Sequence, residues 1–74
     1  MIILSGASGG IGQEIINPLS KIDKVIGLYN TSRPKNDDNG NLIYEKVDLR
    51  NKNEIDSFVQ KWKQDLVNIT LIHC

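Results

Sequence analysis

Ser5-Gly6-Ala7-Ser8-Gly9-Gly10-Ile11-Gly12 follows directly on Ile2-Ile3-Leu4 and leads into a segment with apolar residues at helical spacing. Strand, glycine-rich turn, helix: in that order the glycines acquire a physical purpose. Glycine lets the backbone bend tightly and approach a ligand with no Cβ in between. The helix that follows aims its unpaired N–H groups and the positive end of its dipole at the same point, which favours a phosphate or diphosphate. Gly6, Gly10 and Gly12 read as G-x-x-x-G-x-G, and Gly6, Gly9 and Gly12 as G-x-x-G-x-x-G. Neither is the G-x-G-x-x-G spacing of the other large dinucleotide-binding group, and no Lys-Ser/Thr pair follows, as a triphosphate P-loop requires. A Gly/Ser-rich run can also be a flexible turn and nothing more. Its place as the first turn of the chain, between strand and helix, argues for the anion site.

Nine basic and nine acidic side chains leave the 74 residues without formal net charge. Nothing electrostatic therefore points to nucleic acid or an anionic membrane as partner. No apolar run approaches the ~20 residues of a membrane span, and no basic n-region precedes the first strand. The single cysteine, Cys74, excludes an internal disulfide. Cytoplasm is the expected compartment. A nucleotide-binding α/β domain ordinarily exceeds ~100 residues, and Ile69-Thr70-Leu71-Ile72-His73-Cys74 reads as an apolar strand with nothing polar to end it. We therefore expect residues 1–74 to form the N-terminal part of a single larger domain.

Met1 to Leu4 reads as a first strand. Ile11, Ile15, Ile16, Leu19 and Ile22 then form a helical stripe expected to pack on a sheet. Pro18 interrupts it, and a kink or a short restart capped by Asn17 is expected there. Lys24 to Tyr29 is a second strand, Asn30 to Gly40 a polar loop, and Leu42 to Leu49 a third strand, less apolar and so nearer a sheet edge. Strands two and three suit either a hairpin or a parallel arrangement, and the pattern elsewhere favours the parallel one. Asn51 opens a second helix, with Glu54 placed as in a capping box. Ile55, Phe58, Val59, Trp62 and Leu66 mark its buried face, Trp62 as a core anchor. A last strand runs from about Asn68 to Cys74. The whole is an α/β chain, β-α-β-β-α-β, read as the first four strands of a Rossmann-like doubly wound parallel sheet. Ligands of such sheets bind beyond the carboxyl ends of the strands. That rule gathers the glycine turn, Tyr29 to Arg33, Asp48-Leu49 and His73-Cys74 on one edge.

These residues resemble the short-chain dehydrogenase/reductase family. The Ser5 to Gly12 segment is similar to that family's Thr-Gly-x-x-x-Gly-x-Gly cofactor turn, with serine leading. Asp48-Leu49 is similar to its acidic dipeptide after the third strand, whose carboxylate accepts from the adenine amino group. His73-Cys74 stands where the family usually begins Asn-Asn-Ala-Gly. The resemblance covers the cofactor-binding half of a typical member. It implies cofactor contacts at Gly6, Ser8, Gly9, Gly10, Ile11, Gly12, Asn30, Arg33, Asp48 and Leu49, and no metal. Asp48 has a second reading as a turn residue bonding nearby backbone.

The end of the second strand bears on the cofactor. A carboxylate there would bond the ribose hydroxyls and repel a 2′-phosphate, whereas an arginine would attract it. Asn30-Thr31-Ser32-Arg33 offers hydroxyls and a guanidinium but no carboxylate, so NADP is expected over NAD. Arg33 has a second reading as a solvated loop residue beside Pro34. The family's chemistry uses a serine and a Tyr-x-x-x-Lys pair, which this chain lacks: Tyr29 is followed four residues on by Arg33, and Tyr44 by Asp48. No catalytic residue is therefore expected here. The resemblance implies an oxidoreductase whose complete form takes a small carbonyl or alcohol substrate and forms any homo-oligomer through later helices. The competing readings are a non-enzymatic dinucleotide-binding regulatory module and a truncated product without activity.

Overall fold

The computed structural model describes residues 1–31 and 40–73. Its elements are β1 (Ile2–Ser5), α1 (Gly10–Ser20), β2 (Val25–Tyr29), β3 (Leu42–Lys46), α2 (Lys52–Trp62) and β4 (Thr70–His73). The strands form one four-stranded sheet in the order β3-β2-β1-β4, and every neighbouring pair is parallel. The hairpin alternative for β2 and β3 is thereby removed. The chain steps outward from β1 to β3, then returns to the other side of β1, so its direction reverses at β1.

The two central strands are the most uniformly apolar, as burial on both faces demands. Alternation then sorts their side chains. Ile2, Leu4, Val25, Leu42 and Tyr44 face Ala7 and Ile16 at α1, while Ile3, Ile26, Leu28 and Val47 face Phe58 of α2. One helix thus covers each face. Gly27 lets α1 settle closely, since a Cβ there would stand 2.7 Å from Ile16 Cδ1 and 3.0 Å from the Ala7 methyl. β3 alternates buried with half-buried residues and lies at the edge, as its mixed pattern predicts. It ends at Lys46, three residues short of the predicted Leu49, where residues 47–50 turn toward α2.

α2 starts as expected. Asn51 Oδ1 accepts from the backbone N–H groups of Asn53 (3.0 Å) and Glu54 (3.3 Å). Glu54 does not close the capping box, however: its Oε1 accepts from the N–H of Asp48 at 3.1 Å. Trp62 packs half-buried on the α2-side core and donates its Nε1–H to Glu45 Oε2 at 2.7 Å. Lys61 Nζ reaches the same oxygen at 2.7 Å, which ties the end of α2 to β3.

Several expectations need correction. α1 is continuous through Pro18, with no restart at Asn17, whose carbonyl instead accepts from Ser20 Oγ at 2.7 Å. Pro18 lies in the last turn, so only the bond to Glu14 is forfeited before the helix ends. Ile11 and Ile22 do not join the packed stripe and are 70% and 77% exposed. They stand at or beyond the two ends of α1, past the reach of the sheet. Val59 is likewise exposed on α2. On β4, Leu71 is 69% exposed, since neither helix spreads over that edge strand. Among the described residues no helix is long and apolar enough to cross a membrane.

Candidate functional site

The glycine turn is held from below. Gly6 has φ 68°, a left-handed conformation that glycine adopts without the steric cost of a Cβ. The Ala7 N–H donates to the Leu28 carbonyl at 3.1 Å, anchoring the turn to β2, and the Gly9 N–H donates back to the Gly6 carbonyl at 3.1 Å. Gly12 lies under this bend. A Cβ on it would stand 2.3 Å from Gly6 O and 3.1 Å from Ala7 Cα. The first helical turn therefore packs directly on the loop backbone. Around Gly10 there is open space instead.

The start of α1 is left bare. Gly9 occupies the N-cap position with no side-chain capping bond, and no acidic residue stands in the first turn. The unpaired N–H groups and the positive dipole end thus have no carboxylate competing for them. Gln13 Nε2 donates to the Ser8 carbonyl at 2.7 Å, which ties the turn to the first helical turn.

Beside the turn lies a cavity of about 280 Å³. Its walls come from the carboxyl ends of three strands: Ser5, Gly6 and Ser8 after β1, Tyr29, Asn30 and Thr31 after β2, and Asp48, Leu49 and Arg50 after β3. Of the expected cofactor contacts, Gly6, Ser8, Asn30, Asp48 and Leu49 share this cavity. Gly9, Gly10 and Ile11 stand exposed at the helix start outside it, and Gly12 is buried beneath. Arg33 and Cys74 lie outside the described residues. A second cavity of about 290 Å³ lies between β3 and α2. Both acidic side chains among its lining residues are already engaged, Glu45 by Lys61 and Trp62 and Glu54 by the Asp48 N–H.

The turn reading of Asp48 holds, since its Oδ1 accepts from the backbone N–H two residues on, whereas two side-chain contacts of the site are not expected from the sequence. Arg50 grips Asp48: its backbone N–H and Nε donate to Oδ1 at 2.9 and 3.1 Å, and Nη2 donates to Oδ2 at 3.3 Å. These bonds, the side-chain one foremost, hold the Asp48 carboxyl below its ordinary pKa, so it is ionised at neutral pH. Ser5 Oγ and His73 Nδ1 also share a hydrogen bond. It joins β1 to β4 at the point where the chain reverses, through the register that sets Ser5 opposite His73. An Asp two residues before an Arg, just ahead of a helix cap, signals the first pair in hindsight. Nothing local signals the second.

Among the described residues no group of three or more His, Cys, Asp or Glu side chains is placed to hold a metal ion. The arrangement offers bare amides for an anion, a nucleoside-sized recess beside them, and one ion-paired carboxylate. In comparisons with protein-family models, curated proteins and solved structures, nothing matches this chain.

Proposed function

We propose that this chain is the cofactor-binding part of an NADP-dependent oxidoreductase of the short-chain dehydrogenase/reductase kind, built on the first four strands of a Rossmann-type sheet. The observation that carries the reading is the contact of Gly12 with the Gly6 carbonyl, 2.3 Å from where a Cβ would be. It presses an uncapped helix start onto a left-handed glycine bend, a cradle whose donors are all backbone. A diphosphate suits those donors. The recess on the β2 and β3 side of the bend takes the adenosine half, and the β4 side, at His73, is left for the nicotinamide half. The reversal of strand order at β1 is where open parallel sheets bind such ligands.

When bound, NADPH supplies the hydride. The residues of this chain bind and orient it, and none stands in the family's Tyr-x-x-x-Lys arrangement for protonating a carbonyl. Preference for the 2′-phosphorylated cofactor is supported by charge. Asp48 is the sole carboxylate among the described residues of the recess, and Arg50 pairs it. Asn30 and Thr31 at the end of β2 carry none. Arg33 supplies the guanidinium for the 2′-phosphate. Calorimetric titration of the chain with NADPH and NADH tests this. Arg33→Asp is expected to weaken NADPH binding by about tenfold or more, the worth of a charge-assisted hydrogen bond, and to leave NADH within about twofold. Equal losses for the two cofactors would remove Arg33 from the site.

A further inference from the structure

Resting on the reading of the bend as a diphosphate site, we propose that His73 adds a titratable side-chain donor to it, so that the grip on the diphosphate tightens as the imidazole takes up a proton. Ser5 ends β1 and Gly6 begins the bend. Because Ser5 Oγ bonds His73 Nδ1, the ring is fixed to the residue directly before the left-handed glycine, on the β4 side of the cradle. Ser5 is only 2% exposed, whereas His73 is exposed. The ring thus uses Nδ1 on Ser5 and keeps Nε2 for a ligand.

The hydroxyl sets the state of that second nitrogen. Ser5 Oγ makes no hydrogen bond besides the one to Nδ1 among the described residues. In the neutral ring its O–H therefore donates to Nδ1, and the ring proton sits on Nε2. On protonation the roles at Nδ1 reverse, since a hydroxyl accepts as well as donates. The ring keeps its place, and Nε2–H changes from a neutral donor into a positively charged one. Charge-assisted hydrogen bonds to phosphate are about twice as strong as neutral ones.

Nothing near the ring competes with a ligand for that charge. Among the described elements β4 packs on β1 alone, and neither Ile2–Ser5 nor Thr70–His73 carries another ionisable side chain. The first turn of α1 has no acidic residue. The Met1 amine and Asp23 pair with each other at the opposite end of the sheet. Where the short-chain family usually has a neutral asparagine, this chain has an imidazole, the side chain whose ordinary titration falls between about pH 5 and 8. A ligand that binds the charged ring better draws the proton in with it.

The test is calorimetric titration of the intact chain and of His73→Asn with ADP-ribose at about pH 5.5 and about pH 8, which span the ordinary titration of imidazole. Circular dichroism at both pH values checks the fold. ADP-ribose carries the diphosphate and holds its charge over that span, unlike NADPH, whose 2′-phosphate has a second pKa of about 6. The unsubstituted chain is expected to bind about tenfold more tightly at the lower pH, the difference between a neutral and a charged donor. His73→Asn has a side-chain N–H but no charge to gain, and its affinities at the two pH values are expected to agree within about twofold. His73 is the one histidine of the chain, and its imidazole resonances are expected to move as ADP-ribose is added. Equal affinity of the unsubstituted chain at both pH values, or imidazole resonances unmoved at saturation, would overturn the proposal and leave the diphosphate reading standing. A pH dependence that survives in His73→Asn would overturn it too, by assigning the proton to another group. Failure of the unsubstituted chain to bind either ADP-ribose or NADPH would sink the diphosphate reading, and the proposal with it.

Discussion

Gly12→Ala is expected to cost most of the stability of this chain, while Gly10→Ala, two residues away, is expected to cost nothing. The added methyl at position 12 would stand 2.3 Å from Gly6 O and 3.1 Å from both Gly6 C and Ala7 Cα. All three are backbone atoms, so no rotamer change relieves the contact. The bend itself cannot yield easily, because Ala7 and Gly9 bond it to β2 and to itself. Overpacking costs about 1–3 kcal/mol where side chains can adjust, and a clash with fixed backbone belongs at the upper end. A core of this size supplies about 3–5 kcal/mol in total. At Gly10 nothing lies within 4 Å, and alanine is the better helix former by about 1 kcal/mol. Urea titration followed by circular dichroism separates the two. Equal midpoints would mean that the turn and the helix do not pack as described.

Leu4→Ala is the second large loss. Leu4 is fully buried on the central strand β1, in one core with Ala7 and Ile16 and in register with Gly27 of β2 and Ile72 of β4. Truncating a buried leucine costs about 2–5 kcal/mol, depending on how far the cavity collapses. β1 pairs on both sides, so collapse is limited and the upper half of that range is expected. Most molecules of the variant should then be unfolded at 25 °C, with the far-ultraviolet dichroism of the sheet lost. Leu71→Ala is the control. Leu71 is exposed on β4, and its truncation should stay within about 0.5 kcal/mol. A mild Leu4→Ala alongside a severe Leu71→Ala would reverse the assignment of centre and edge.

What was legible in the sequence is what depends on neighbours in the chain. The strand-turn-helix order at residues 1–12, the Asn51 cap and the apolar face of α2 at Ile55, Phe58 and Trp62 are all local patterns, and each appears in the structure. The edge place of β3 follows from its broken apolar run. Periodicity gives the direction of a side chain but not the extent of the surface it meets. Ile11, at the first turn of α1, and Ile22, beyond its end, are accordingly left exposed. Val59 fails for the related reason that an apolar stripe is wider than the strip of sheet α2 covers. Pro18 was legible as a defect but not as a harmless one, because that depends on the helix ending two residues later.

The site divides along the same line. Gly6, Ser8, Asn30, Asp48 and Leu49 come together because a parallel sheet puts the carboxyl ends of its strands on one edge, a consequence of topology that the pattern contains. Glu54 turned from Asn51 to Asp48 because the chain after β3 bends back across the start of α2. Arg50 was missed since it has no fixed partner in sequence, and a flexible cation on a turn pairs with whatever carboxylate the bend presents. Ser5 and His73 are 68 residues apart and meet only through strand register.

The central claim is that the amides of the bend at residues 6–12 hold a diphosphate. Titration of the ¹⁵N-labelled chain with NADPH, followed by amide chemical shifts, tests it most directly. Saturable shifts largest at Gly6, Gly9, Gly10 and Gly12, accompanied by smaller ones at Asn30, Asp48 and Arg50, are the predicted result. Saturable shifts confined to residues of the second cavity, such as Phe58 and Lys61, with the glycine amides unmoved, would contradict it.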